Sequence, residues 1–125
     1  MVRSRTITMS VCRKTGEVFD AILNSPPKMM PDAMQNNDDS WSFSTPRGNA
    51  NLKFKQNKTF GILDHLYSDD EASWDVPMRV VSSGDSSEVI ITITKPDIIT
   101  DEQFDERMKE IEILFKNLKE IIENS

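Results

Sequence analysis

A chain of 125 residues, 37% hydrophobic and 29% charged, has the length and make-up of one soluble domain, residues 1–125, with a single buried core. Its net charge of −6 works against binding nucleic acid, which needs a basic surface to displace counterions. One cysteine, Cys12, excludes an internal disulfide or a thiolate metal cluster, and no apolar run suits a signal peptide or a membrane span, so a cytoplasmic protein is expected.

Ile7, Met9 and Val11 alternate with Thr6, Thr8 and Ser10, the period-two pattern of a strand with one buried face. Thr15 opens a short helix with Glu17 in its first turn and Val18, Phe19, Ile22 and Leu23 on one side; Asn24-Ser25-Pro26-Pro27 stops it. Met29, Met30 and Met34 lie in a second short segment interrupted by Pro31, and residues 35–40 read as a polar turn. From Trp41 onward the pattern is that of strands joined by tight turns. Trp41 and Phe43 share one strand, Pro46-Arg47-Gly48 marks a turn, and Leu52 and Phe54 belong to the next strand. A longer strand is predicted over 59–67, then the acidic turn Ser68-Asp69-Asp70-Glu71, then strands over 73–81 and 88–95 joined through Ser83-Gly84-Asp85.

Pro96 ends the strands, and a long helix is predicted from Thr100 to about Ile122. Thr100 and Gln103 form a capping-box pattern, and Asp101 and Glu102 sit where the positive end of the helix dipole favours carboxylates. Phe104, Met108, Ile111, Phe115, Leu118 and Ile122 recur at steps of four and three, drawing one apolar stripe; Ile113, Leu114 and Ile121 widen it. Successive strands with short turns, closed by this helix, predict an α+β fold: a curved antiparallel sheet with the helix across its concave face.

Strand parity sets two faces. With Leu66 opposite Trp74, Asp64 faces Val76, Ile62 faces Met78 and Phe60 faces Val80; the following hairpin sets Val80, Met78 and Val76 opposite Val89, Ile91 and Ile93. That register puts Asp64 among apolar neighbours. It puts His65, Tyr67, Asp75, Arg79 and Glu88 on the other face, with His65 across from Asp75 and Arg79 diagonal to Glu88.

Gly61-Ile62-Leu63-Asp64-His65, Val76-Pro77-Met78-Arg79-Val80-Val81, Gly84-Asp85-Ser86-Ser87-Glu88-Val89 and the closing Thr100-Asp101-Glu102-Gln103-Phe104 and Leu118-Lys119 resemble the SRPBCC superfamily. Its small members include START-like and polyketide cyclase/dehydrase-like helix-grip proteins. The element order resembles that group over nearly the whole chain, and the motifs over about residues 60–122. The tryptophan-rich segment many relatives carry after the first helix is absent here, so a smaller interior is expected. The resemblance implies a sheet wrapped around the long helix, with a cavity for hydrophobic small molecules between them. It also implies a range of roles that fold alone does not choose among: aromatase/cyclases, lipid carriers and activators of a heat-shock ATPase.

The first functional reading is therefore a binding module. Its ligand-lining candidates are Met30, Met34, Trp41, Phe43, Phe54, Phe60, Ile62, Asp64, Trp74, Met78, Ile91, Met108, Ile111 and Phe115. Aromatic residues in strands are more often plain core, and the methionines are equally well read as gap-filling core or as an adaptable portal. The second reading is a cyclase- or dehydratase-type enzyme with Asp64 as general base, assisted by Tyr67 or His65. Against it, a carboxylate there more often simply accepts hydrogen bonds from nearby amides, or lies on the other face if the register is off by one, and His65, the only histidine, reads more simply as a structural partner of Asp75. Arg79 suits an anionic ligand or an ion pair with Glu88 or Asp75. The third reading is a contact with another protein, including a second copy of the chain as a homodimer, through Ile113, Leu114 and Ile121 or an open sheet edge. The acidic run at 69–71 lacks calcium-loop spacing and reads as a solvated turn; Cys12 has no activating partner. No cofactor or metal is expected.

Overall fold

The computed structural model describes residues 3–36 and 38–124; the parts of the leading-segment and polar-turn expectations that fall on Met1, Val2 and Asn37 lie outside it, as does Ser125. The elements run β1 (Ser4–Val11), α1 (Thr15–Leu23), α2 (Pro26–Met29), β2 (Met34–Gln35), β3 (Ser40–Thr45), β4 (Gly48–Asn57), a 3-10 turn (Lys58–Phe60), β5 (Ile62–Ser68), β6 (Ser73–Val76), β7 (Met78–Ser83), β8 (Ser86–Thr94) and α3 (Asp101–Glu123). The strands form one antiparallel sheet in the order β1-β8-β7-β5-β4-β3-β2, with β6 also on β5. α3 lies over its concave face, the α+β helix-grip arrangement expected.

α3 starts as its sequence dictates. Thr100 Oγ1 accepts from Gln103 N–H at 3.1 Å and Gln103 Oε1 accepts from Thr100 N–H at 2.7 Å, closing the capping box. Phe104, Met108, Phe115, Leu118 and Ile122 of the apolar stripe are buried. Ile113 and Leu114 are exposed, at 61% and 44%. α1 contributes Val18, Phe19 and Ile22 to the core, and Pro26 and Pro27, which end it, begin α2 instead of a loop. Met34 lies in the two-residue edge strand β2 and is 72% exposed.

The β7–β8 register is the expected one, with Met78 opposite Ile91 and Val80 opposite Val89. The β5–β6 register is not. Tyr67 faces Trp74 and His65 faces Val76, one residue away from the Leu66–Trp74 pairing. The cause is loop length. Ser68 pairs with Ser73, so four residues, Asp69 to Ala72, make the turn. The Asp69 carboxylate fixes that turn by accepting from Glu71 N–H at 2.9 Å and Ala72 N–H at 3.1 Å. A one-residue slip exchanges the faces of a whole strand. Leu63, His65 and Tyr67 therefore point to the concave side, and Ile62, Asp64 and Leu66 to the convex side. The acidic turn is not simply solvated either, since the Asp69 side chain is 0% exposed.

The predicted strand over 59–67 also begins later. Residues 58–60 form a 3-10 turn in which Asn57 Oδ1 accepts from Phe60 N–H, and Gly61 follows at φ +66. Phe60 is 73% exposed as a result, so it neither faces Val80 nor joins the core. Pro77 splits the strand predicted over 73–81 into β6 and β7, because it has no N–H for the ladder.

Candidate functional site

Between the concave face and α3 lies a cavity of about 530 Å³. Its floor is sheet: Phe43 of β3, Leu52 and Phe54 of β4, His65 and Tyr67 of β5, Trp74 and Val76 of β6, Met78 of β7, and Ile91 and Ile93 of β8. Its roof is α3, with Arg107, Met108, Ile111, Phe115 and Leu118. Ile22, Pro26, Met29 and Met30 close one side, and the β3–β4 turn with Pro46 and Arg47 borders the other, beside Ile113 and Leu114. The space lies under the curved sheet, where Leu52, Ile111, Met29 and Met30 line the gap without filling it.

Of the residues singled out from sequence, Met30, Phe43, Phe54, Trp74, Met78, Ile91, Met108, Ile111 and Phe115 line this cavity. Met34, Trp41, Phe60, Ile62 and Asp64 do not. Trp41 is only 9% exposed but packs in the core beside β4, opposite Leu52. Met34 is on the sheet edge, Phe60 in the exposed 3-10 turn, and Ile62 on the convex side.

Asp64 is turned away from the cavity by the β5 register. Its carboxylate accepts from Met78 N–H at 3.0 Å and pairs with the Arg79 guanidinium, which also donates to Met78 O at 3.0 Å. The group thus repairs the ladder where Pro77 interrupts it. The general-base expectation for Asp64 fails on this geometry, and so does the expected Arg79–Glu88 pairing. Glu88 instead accepts from Ser10 on β1. His65 likewise does not meet Asp75, which faces Leu66.

The residues that bring polarity to the cavity are the ones the expected register hid. His65 Nδ1 lies 3.0 Å from Leu63 O; a carbonyl only accepts, so Nδ1 carries the proton. Burial pushes the His65 pKa down, outweighing the Leu63 carbonyl and the Asp64 charge that act the other way. The ring packs edge-on to Phe54 with centroids 5.5 Å apart. Tyr67 Oη donates to Asp69 Oδ2 at 3.0 Å, and burial together with that bond pushes its pKa up to about 12. Tyr67 is therefore a neutral phenol with its proton engaged, unsuited to act as a base. Trp74 stacks on Phe104 at 6.3 Å, under the Arg107 guanidinium at 5.4 Å.

Arg107 was skipped by the apolar-stripe reading although it is only 7% exposed. It donates to Asp69 at 2.8 Å and to Glu71 at 3.1 Å. Arg47 adds a bidentate pair with Glu110 at 2.9 and 3.0 Å and lies 3.6 Å from Glu71. Two hairpin tips and the middle of α3 are thereby joined at one end of the cavity. The available signal is a lone arginine next to Met108 of the apolar stripe, in a chain whose acidic turn at 69–71 offers it a partner. Among the described residues, no group of three or more His, Cys, Asp or Glu side chains is placed to hold a metal ion, and no helix is long and apolar enough to cross a membrane.

No family model and no curated protein matches the chain. Solved structures do. Ara h 8.0201 superimposes with a TM-score of 0.74 at 11% identity, covering 100% of both chains. A START superfamily protein from Mycobacterium smegmatis gives 0.70 at 12% identity, covering 97% of each. Norcoclaurine synthase from Thalictrum flavum, in complex with dopamine and hydroxybenzaldehyde, gives 0.70 at 10% identity, covering 98% of this chain and 87% of that one. At such identities the likeness is one of fold.

Proposed function

We propose that this chain, which has the helix-grip fold of the SRPBCC and START proteins, acts as a single domain that binds an apolar or aromatic small molecule between its sheet and α3. The observation that carries the reading is the 530 Å³ cavity, walled chiefly by aliphatic, aromatic and methionine side chains. A space of that size falls within what drug-sized ligands occupy, roughly 300–1,000 Å³. Two structural relatives, a norcoclaurine synthase holding two aromatic molecules and an aromatase/cyclase, support an aromatic occupant. Met29 and Met30, on the short α2 segment beside the cavity, give an adaptable wall. An enzymatic role through Asp64 is not part of the reading.

The test is native mass spectrometry of the purified protein, followed by thermal melts with a panel of lipids and aromatic compounds. A co-purifying small molecule, or a melting temperature that rises with ligand concentration, is expected. No adduct and no shift across the panel would overturn the proposal.

A second reading is self-association through α3. Ile113 and Leu114, exposed side by side at the cavity border, favour it, and a relative described as an Aha1 dimer from Colwellia psychrerythraea supports it. Light scattering across a concentration series tests it: a constant monomer mass excludes the dimer. The lone exposed thiol of Cys12 supports a reducing, cytoplasmic setting.

A further inference from the structure

Charge is arranged one-sidedly around the cavity. Among the described residues, three charged side chains line it: Arg47, Arg107 and Glu110. Neither arginine is free. Arg47 donates from both terminal nitrogens to Glu110, at 2.9 and 3.0 Å, and its Nε lies 3.6 Å from Glu71. Arg107 donates from Nε to Glu71 at 3.3 Å, and from Nη2 to Asp69 at 2.8 Å and Glu71 at 3.1 Å. Asp70 joins the group: its N–H donates to Arg47 O at 3.1 Å and its carboxylate lies against Gly48 of the β3–β4 turn. Four carboxylates, Asp69, Asp70, Glu71 and Glu110, thus stand against two guanidiniums.

Nothing nearby offsets that surplus. Burial lowers the pKa of His65 and raises that of Tyr67 to about 12, so these two wall residues are uncharged at pH 7. Beyond the cluster, Lys28 on α2 and Asp32, whose carboxylate accepts from Ser44 N–H at 2.9 Å, cancel in charge. A cleft with apolar walls and charges of one sign in excess focuses their field on whatever enters it.

We infer that the cavity discriminates by charge, admitting uncharged or ammonium-bearing aromatic molecules and rejecting carboxylates. The inference rests on the proposed binding of a small molecule and narrows its class. An entering carboxylate finds both guanidiniums taken, and to gain one it must displace a glutamate of its own sign. An entering ammonium meets the surplus without breaking a pair. Loss of hydration weighs on both ions, so comparing them isolates the sign of the charge.

The test uses one ring system with three substituents: 2-methylnaphthalene (uncharged), 2-naphthylmethylammonium and 2-naphthoate. Affinities come from equilibrium dialysis with the full chain at pH 7 in low salt, where surface charge is least screened. The ammonium is expected to bind about tenfold tighter than the carboxylate. A ratio of one or less overturns the inference. So does binding of the uncharged probe with neither ion detected. If none of the three binds the unaltered chain, the binding reading falls with it.

Two substitutions locate the effect. Glu110→Gln and Glu112→Gln each remove one negative charge from α3 and release one arginine. Glu112, however, pairs with Arg5 of β1, and neither of those residues lines the cavity. The ammonium-to-carboxylate ratio is expected to fall at least about threefold in E110Q, where Arg47 becomes available to the anion, and to hold in E112Q. An unchanged ratio in E110Q, or an equal fall in both variants, overturns the inference while leaving the binding reading intact.

Discussion

The Asp69 carboxylate lies 2.8 Å from the Arg107 guanidinium, and this pair ties the tip of the β5–β6 hairpin to the N-terminal third of α3. Neither side chain is free to hydrate, with 0% and 9% of their surfaces exposed. The Asp69 turn sets the face that His65 and Tyr67 present, while Arg107 holds the helix over that face. Cavity and clamp are parts of one arrangement.

Arg107→Met removes the cation and leaves Asp69 buried without its charge partner. Breaking a buried pair from one side costs about 3–5 kcal/mol, and the urea midpoint should fall accordingly. A loss under about 1 kcal/mol would mean that water reaches the carboxylate and that the clamp is not closed.

Acid should weaken the same clamp. Burial acts to raise the Asp69 pKa, but the Glu71 and Ala72 amides and the Arg107 and Tyr67 side chains outweigh it and hold the group below 3.8. A carboxyl lowered on folding adds stability above its unfolded pKa and loses it as pH falls through the folded value. Melts from pH 5 downward should show a steeper decline for the unaltered chain than for Asp69→Asn. Parallel curves would contradict the assigned direction.

His65 has the opposite linkage to a paired histidine. Its folded pKa is below 6.5, so the unfolded chain takes up the proton first and stability declines as pH drops below about 6.5. In a pH series from 7.5 to 5, His65→Gln should remove this slope. Proton resonances of the imidazole should titrate with a midpoint under 6.5; a midpoint above it would place the ring in water or beside an anion.

Gly61 and Gly16 make a matched pair. Gly61 has φ +66, and a Cβ there would sit 2.3 Å from Val80 O, whose own N–H is bonded to Gly61 O at 2.9 Å. Gly61→Ala should cost at least about 1–2 kcal/mol from the left-handed backbone alone. At Gly16, in the first turn of α1, nothing lies within 4 Å of an added Cβ, so Gly16→Ala should stabilise by about 0.4–1 kcal/mol. Chemical denaturation of both variants would show shifts of opposite sign.

Asp64→Asn should leave the affinity for any cavity ligand unchanged, since the side chain is on the convex face. With 34% of its side chain exposed, its pairing with Arg79 contributes at most about 1 kcal/mol. A large loss of ligand affinity in this variant would return Asp64 to the site.

The amino-acid order carried the parts of the fold written in local signals. Thr100 and Gln103 announced the start of α3, the steps from Phe104 to Ile122 announced its buried stripe, and alternation announced β1, β7 and β8 with the Met78–Ile91 register. Each of these depends on residues within a few positions of one another, or on a short hairpin whose parity is unambiguous. The chemistry of the cavity was not written that way. A turn of four residues, where Leu66 opposite Trp74 requires an odd number, exchanges Asp64 for His65 and Tyr67, and the Asp69 carboxylate, folded back onto the Glu71 and Ala72 amides, holds that length. The empty volume itself is the difference between the space under the curved sheet and the part of it that α3 and the side chains fill. No side-chain pattern encodes that difference, because it arises from how far apart two layers settle once both are built.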